Sequence, residues 1–515
     1  MSGRVVGAVL ALMMLALLAV PVIARRGEPK APKDAATVII VTPNNEQIRV
    51  EFADGFSRWH KAKYGTSAQV IWNMPGGATE IRKMLEASTI ASLRDGTPPG
   101  GSADLLFGGG SYDFEQMAKP LSTEVNGDVR SSTVLVPVNF DQAWLDAVYG
   151  ENSIAGRTLY DPGHAWFGAA LSAFGIVYNA EMLNRMGIAH PADWSALADP
   201  RLQDQVSLVN PAQSGSIASA METILLREGW QRGWAILRRA SANARSIAAG
   251  GPRTPMDVSQ GDAAEGLCID FYGRYQQQVV ADGGSPGRVG YIDPAGKTAI
   301  DPDPVAMLRG APHPETARRF IEFVLSPEGQ RLWQYPPGSE GGPRQFSLRR
   351  LPISRAVYAS DRARFIDKVD PWKLAQAIPN ANPNFRSFVV PLFVSMAMEN
   401  RSLLREAWAL IAAHPEYPRD GRLFMATDAK DPTLRAMLEA FDAMPLVPGP
   451  NGTTLNLADE PSLAMVRDGW MRGKWKEYGL WGANDAPADV LRRILTEACA
   501  ANFRRVIEIS RSSAQ

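Results

Sequence analysis

Short, unbroken apolar runs alternate along this chain with apolar positions at helical spacing. Residues 37 to 42 (TVIIVT) read as a buried strand, and Glu46 to His60 as a helix carrying Ile48, Phe52, Phe56 and Trp59 on one face. The strand Gln69 to Trp72 precedes a helix from Ala78 to Leu93, and Asp104 to Phe107 form a short strand after a Gly/Pro loop. Farther on, an apolar, aromatic stretch ends at Tyr178-Asn179. The strand Gln205 to Val209 then runs through Asn210 to Ser216 into a helix from Ile217 to Glu228. A helix bearing Trp230 and Trp234 follows, then a strand from Gly266 to Phe271. This alternation predicts a wound, parallel α/β sheet, in which ligands lie beyond the carboxyl ends of the strands. After Leu351 the pattern turns helical, over Ser387 to Ala412, Pro432 to Met444, Ser462 to Trp475 and Ala488 to Ile509.

The chain opens on a different pattern. After Arg4, residues Val5 to Val20 are all apolar or small, and Pro21 is followed by Val22-Ile23-Ala24, with the small residue a signal peptidase needs. Export follows whether residues 1–24 are a cleaved signal or a retained membrane anchor, because the run approaches the ~20 residues that span a bilayer. A polar spacer, 25–36, separates it from the first strand. A length of 515 residues predicts two or three domains.

Charge and cysteine content narrow the function. Lys plus Arg and Asp plus Glu balance at 54 each, which argues against a general binder of nucleic acid or anionic membranes. Any ligand charge must be read by local groups. Cys268 and Cys499 are too few for a disulfide framework and read as buried thiols. The five histidines are scattered, none at zinc-site spacing, and there is no P-loop, so ATP hydrolysis would belong to a separate subunit.

Candidate binding groups cluster at strand ends. Thr42, Asn44, Asn45 and Glu46 offer hydroxyl, amide and carboxylate groups at the end of the first strand; the alternative is helix capping. Gly108-Gly109-Gly110-Ser111 lets backbone approach a ligand closely or turn a hinge. Ser214-Gly215-Ser216 sets hydroxyls at a helix N-terminus, suited to an anion, and lacks the G-x-S-x-G pattern of a nucleophilic serine. Trp166 either stacks on a solute or fills core.

The run Ala165 to Ser216 resembles the corresponding part of the extracellular solute-binding proteins that serve ABC importers, in the branch that binds ferric iron, thiamine, putrescine, phosphonates and sugar phosphates. VIIVTPNNE (38–46), ADLLFGGG (103–110), VSQGDAAEGLCIDFY (258–272) and ARRFIEFVLSPEGQ (317–330) agree in the same order, so the resemblance covers residues 36 to 350. It implies an α/β, two-lobed periplasmic-binding-protein-like (type II) fold with a mostly helical C-terminal extension. Lobe 1 would comprise 37–112 and 288–350, lobe 2 113–287, and the extension 351–515. The implied function is capture of a small anionic or polar solute in the interlobe cleft by hinge closure, in the periplasm or otherwise outside the cytoplasm. The implied partners are membrane permease subunits with a separate ATPase, and no cofactor or catalytic residue is called for.

The resemblance adds Asp270, Tyr272 and Tyr291 to the cleft. In ferric-iron binders two adjacent tyrosines occupy the place of Phe271-Tyr272, so an iron site here would fall to Tyr272, Asp270 and Glu46. Two other readings stand beside import. One is a thiaminase-like enzyme on the same scaffold with Cys268 as nucleophile, and the other is a sensory subunit presenting its liganded form through the helical tail.

Overall fold

The structure, a computed structural model, describes residues 35–378, 382, 384–482 and 484–513. The leader-or-anchor segment 1–24 and nearly all of the spacer lie outside the described residues. Among those described, no helix is long and apolar enough to cross a membrane.

The first strands form as their patterns predict. β1 (Ala36–Val41), β2 (Ala68–Asn73) and β3 (Leu105–Phe107) pair in parallel with β1 central. Each runs into a helix at its carboxyl end: Glu46–Tyr64 after β1, Ala78–Asp95 after β2 and Ser111–Met117 after β3. The first of these buries Ile48, Phe52 and Phe56, with Phe52 packed 4.3 Å from Trp333 and 5.2 Å from Phe107, ring centre to ring centre. Truncating such a ring costs about 3–5 kcal/mol.

A hairpin of β4 (Leu121–Val125) and β5 (Asp128–Ser132) lies on the Ala78–Asp95 helix, and the short β6 (Leu135–Val136) pairs with a later strand, β12. The structural hub is β7, Phe167–Asn179, thirteen residues that are almost wholly buried. Its first half pairs with β12 (Ile300–Leu308) from Phe167 to Ala173, and also with β13 (Leu351–Pro352). Its second half pairs with β10 (Glu265–Ile269) from Phe174 to Tyr178, and with β11 (Val289–Ile292). β8 (Val206–Val209) and β9 (Ala244–Ala248) continue that second half in parallel. The eleven strands therefore form one sheet of two halves joined through β7. Thr298 pins the switch point, donating to the Phe174 carbonyl at 2.7 Å and accepting from its N–H at 3.1 Å.

This pairing corrects the expected lobe boundaries. The chain does not leave the first half at Asp113, because Phe114 and Met117 share a core with Val41, Ile81, Leu106 and Leu308. It stays there until the middle of β7. The return is also later than residue 288, since β11 still belongs to the second half and only β12 rejoins β3. The Gly266 to Phe271 strand is shorter than expected too: it ends at Ile269, and Asp270 opens the helix Asp270–Asp282.

The C-terminal extension is helical, as expected, over Phe385–Phe393, Arg401–Ala413, Pro432–Asp442, Glu460–Val466 and Pro487–Ser513. It docks on the helix Trp230–Ala242 of the second half. Phe385 packs 4.6 Å from Trp230, whose Nε1 donates to the Leu457 carbonyl at 2.7 Å. Trp408 Nε1 donates to Asn243 Oδ1 at 2.8 Å, and buried Arg239 holds Asp442 at 2.8 Å. These contacts merge the extension into the main core.

Candidate functional site

Between the two halves of the sheet lies a cleft of ≈ 370 Å³. Its walls are strand ends and the helix starts that follow them, because each β-to-helix junction in a wound sheet faces the same edge. Asn45, Gly77, Ser214, Pro252 and Ile269, each the residue that precedes a helix, all line it. N–H groups at several helix starts thus converge on one space, and their partial positive charge favours an anion.

The floor carries a residue that the sequence reading missed. Arg350 is 4 % exposed, its Nη1 lies 2.8 Å from Asp303 Oδ2, and its guanidinium sits 4.1 Å from the centre of the Phe271 ring. Its Nε has no partner among the described residues. Asp303 also accepts a hydrogen bond from Ser172, and burial raises its carboxyl while Arg350 works to lower it. Nothing local in SLRRLP (347–352) distinguishes a cleft-floor arginine from a solvated one, so the signal lies only in the tertiary placement.

The expected site residues divide. Asn44, Asn45, Gly109, Ser214, Gly215, Ser216 and Tyr272 line the cleft. Asn45 and Ser214 also cap their helices, accepting from Ile48 N–H at 3.1 Å and Ile217 N–H at 3.4 Å. Asn44 Nδ2 donates to the Phe107 carbonyl at 3.2 Å, so its amide ties β1 to β3. Gly109 has φ +123° and lies so close to Ala78 that an added Cβ would stand 2.9 Å from it. Tyr272 packs at a tilt against Phe271 with ring centres 4.0 Å apart, and burial pushes its hydroxyl up to about 12.

The other candidates point elsewhere. Thr42 is fully buried and donates to the Phe107 carbonyl at 2.6 Å, leaving its hydroxyl committed to the sheet. Glu46 is exposed on the first turn of its helix and lies off the cleft wall. Gly110 precedes the Ser111–Met117 helix beside the cleft, and Ser111 donates to Asp301 Oδ1 at 2.7 Å. Trp166 fills core among Val41, Phe114 and Leu308. Asp270 lies beneath the floor with Arg274 Nη1 at 3.0 Å, and burial raises its carboxyl to about 7 against the pull of Arg274. Tyr291 donates to Asp293 at 2.9 Å behind the same helix. Strand periodicity separates the two faces of a strand, but it does not say which strand-end side chain turns into the cleft.

Among the described residues, no group of three or more His, Cys, Asp or Glu is placed to hold a metal ion. Cys268 is buried in β10, and burial, then Asp270, pushes its thiol far above the range of a reactive thiolate.

Residues 124–336 match the family described as bacterial extracellular solute-binding protein. That stretch is similar to an extracellular solute-binding domain. The chain's fold is that of the two-lobed periplasmic binding proteins. One solved example is AfuA from Actinobacillus pleuropneumoniae with exogenous fructose-6-phosphate bound, 17% identical, TM-score 0.50, covering 70% of this chain and 98% of that one. Another is the periplasmic binding protein P5PA, 17% identical, TM-score 0.51, covering 72% and 98%. Among curated proteins, the phosphoglycerate transport regulatory protein PgtC of Salmonella typhimurium is 30% identical over 190 residues, 35% of this chain and 46% of its own length. The chain thus spans about half the length of the curated relatives it matches. AfuA and P5PA are both described as periplasmic binding proteins.

Proposed function

We propose that the protein captures a small anionic solute, bearing phosphate or carboxylate, and hands it to an ABC-type importer outside the cytoplasmic membrane. What carries the reading is Arg350, a buried guanidinium on the cleft floor, among converging helix N-termini, whose Nε is unpartnered among the described residues. Ser214 and Ser216 bring hydroxyls to the same wall, and Asp303 supplies an acceptor for a solute hydroxyl. A solute touching both halves stabilises the closed arrangement, with bending at β7 and β12 as the working motion. Closure alters the outer faces met by the permease subunits, and a separate ATPase drives transport. The fructose-6-phosphate bound to AfuA and the phosphoglycerate in the name of PgtC belong to the same chemical class.

Ferric iron suits this cleft less well. Phe271 removes one phenolate, Tyr272 starts from about 12, and Arg350 adds positive charge where a trivalent cation needs negative. A second reading, a regulatory subunit presenting its liganded state through the extension, draws on the word regulatory in the PgtC name. Thermal shift on the full chain tests the first reading, with fructose 6-phosphate, 3-phosphoglycerate, phosphonates, putrescine, thiamine and ferric citrate as probes. Phosphorylated probes are expected to raise Tm. A response to putrescine alone, or to ferric citrate and lost in Tyr272→Phe, overturns it.

A further inference from the structure

We propose that Arg386, supplied by the C-terminal extension, is a positioning residue that latches the two halves together behind the cleft, so that the extension sets how readily the cleft closes.

Arg386 follows Phe385, which is anchored on Trp230, so its backbone moves with the second half. Its side chain is only 9 % exposed. From there the guanidinium reaches along the Gly215–Glu228 helix. Nη2 donates to the Gly215 carbonyl at 3.4 Å, Nη1 donates to Ser219 Oγ at 3.3 Å, and Glu222 lies 3.9 Å away. The same guanidinium lies 4.6 Å from the centre of the Tyr112 ring. Tyr112 sits on the Ser111–Met117 helix, whose core partners are all in the first half.

A planar cation is therefore held between a helix whose start lines the cleft and an aromatic ring of the opposite half. Arg157 reinforces the junction, reaching from the loop before β7 to Glu222 at 3.4 Å. Stacking and charge pairing in a partly desolvated place are worth more than at an open surface. Opening the cleft pulls Tyr112 away from Arg386 while leaving the extension docked, so the contact favours the closed arrangement alone. A solute that binds the closed arrangement then binds more tightly in proportion.

The affinity consequence rests on the cleft's being an anion site, but the latch itself does not. Spin labels at Met84→Cys and Met256→Cys, exposed positions on opposite halves, report their separation in the full chain while Cys268 and Cys499 stay buried. Arg386→Gln and Tyr112→Leu are each expected to move the label distance, without solute, to a longer and broader distribution than in the parent. Inorganic phosphate affinity should fall by the factor by which the closed fraction falls. Distances in both variants that superimpose on the parent overturn the latch, and Tyr112→Leu decides the matter if Arg386→Gln does not fold. Longer distances with no phosphate binding in any protein uphold the latch and count against the anion site. Equal phosphate binding at unchanged distances does the reverse.

Discussion

The Arg350 guanidinium lies 4.1 Å from the centre of the Phe271 ring. That contact sets the character of the cleft, because a cation over an aromatic face stands where the resemblance to iron binders would place a phenolate. The geometry is held from behind. Arg349 adopts φ +56°, a left-handed backbone that costs a non-glycine residue, and its own side chain is fastened to Asp367 at 3.1 Å and to the Arg274 carbonyl at 2.9 Å. The strained backbone turns two successive arginines in different directions, one into the supporting network and one onto the cleft floor.

Arg350→Gln is therefore expected to weaken fructose 6-phosphate binding about 10–100-fold, since a charge-assisted hydrogen bond contributes ~1.5–3 kcal/mol. Calorimetric titration measures it. Adding Asp303→Asn removes the carboxylate that Arg350 otherwise neutralises, so a loss that persists in the double variant assigns the effect to the cation. Unchanged affinity in both removes Arg350 from the site.

Gly77 meets the opposite wall so closely that a Cβ there would stand 2.2 Å from the Gln213 carbonyl oxygen. Glu80 and Gln213 also touch across the cleft at 3.2 Å. Gly77→Ala should shift the ligand-free protein toward the open arrangement and lower solute affinity about tenfold, while its φ of −74° adds no backbone strain of its own. Full affinity in this variant would show that binding does not need these walls to meet.

Glu265 gives the protein a pH dependence away from the cleft. It is fully buried, neither carboxyl oxygen has a partner among the described residues, and burial, then Asp199, raises its pKa from an ordinary 4.5 to about 8. The folded chain holds this proton more tightly than the unfolded chain. Its contribution to stability is complete below pH 4.5, declines by ~1.4 kcal/mol per unit up to about pH 8, and is level above that. In Glu265→Gln this decline is absent. Urea midpoints from pH 5 to 8 should fall more steeply in the parent than in the variant, and parallel profiles would exclude the effect.

Asp442 joins the extension to the second half through two buried cations, Arg239 at 2.8 Å and Arg238 at 3.1 Å. Burial alone would raise its carboxyl, yet Arg239 and then Arg238 hold it below the ordinary value. Asp442→Ala strands both guanidiniums and should cost about 3–5 kcal/mol in denaturant unfolding, accompanied by faster proteolytic release of the extension. A loss below about 1 kcal/mol would mean that packing around Trp230 and Trp408 carries the docking unaided.

The amino-acid sequence by itself showed β1, β2, β3, β7, β8 and β10, with the helices that follow β1, β2 and β8, because such patterns are read within a few neighbouring residues. The caps at Asn45 and Ser214 were legible for the same reason, each being a hydrogen bond to an N–H three residues on. The sequence did not show β4–β6, β9 or β11–β13, nor that β7 runs antiparallel to β10, β11, β12 and β13, so that the sheet is mixed rather than parallel. The resemblance carried the two-lobed class. Tertiary structure alone decided where the halves divide, since β7 is one uniform apolar run and only its partners change, from β12 to β10, between Ala173 and Phe174. It also decided which strand-end groups face the cleft. Thr42 and Ser111 spend their hydroxyls on the frame, Trp166 turns into core, and Arg350, from a stretch with no periodic signal, reaches the floor through contacts with Asp303 and Phe271 some 50 to 80 residues away in sequence. Side-chain direction at a strand end follows from partners distant in the chain, and only the folded structure brings those partners together.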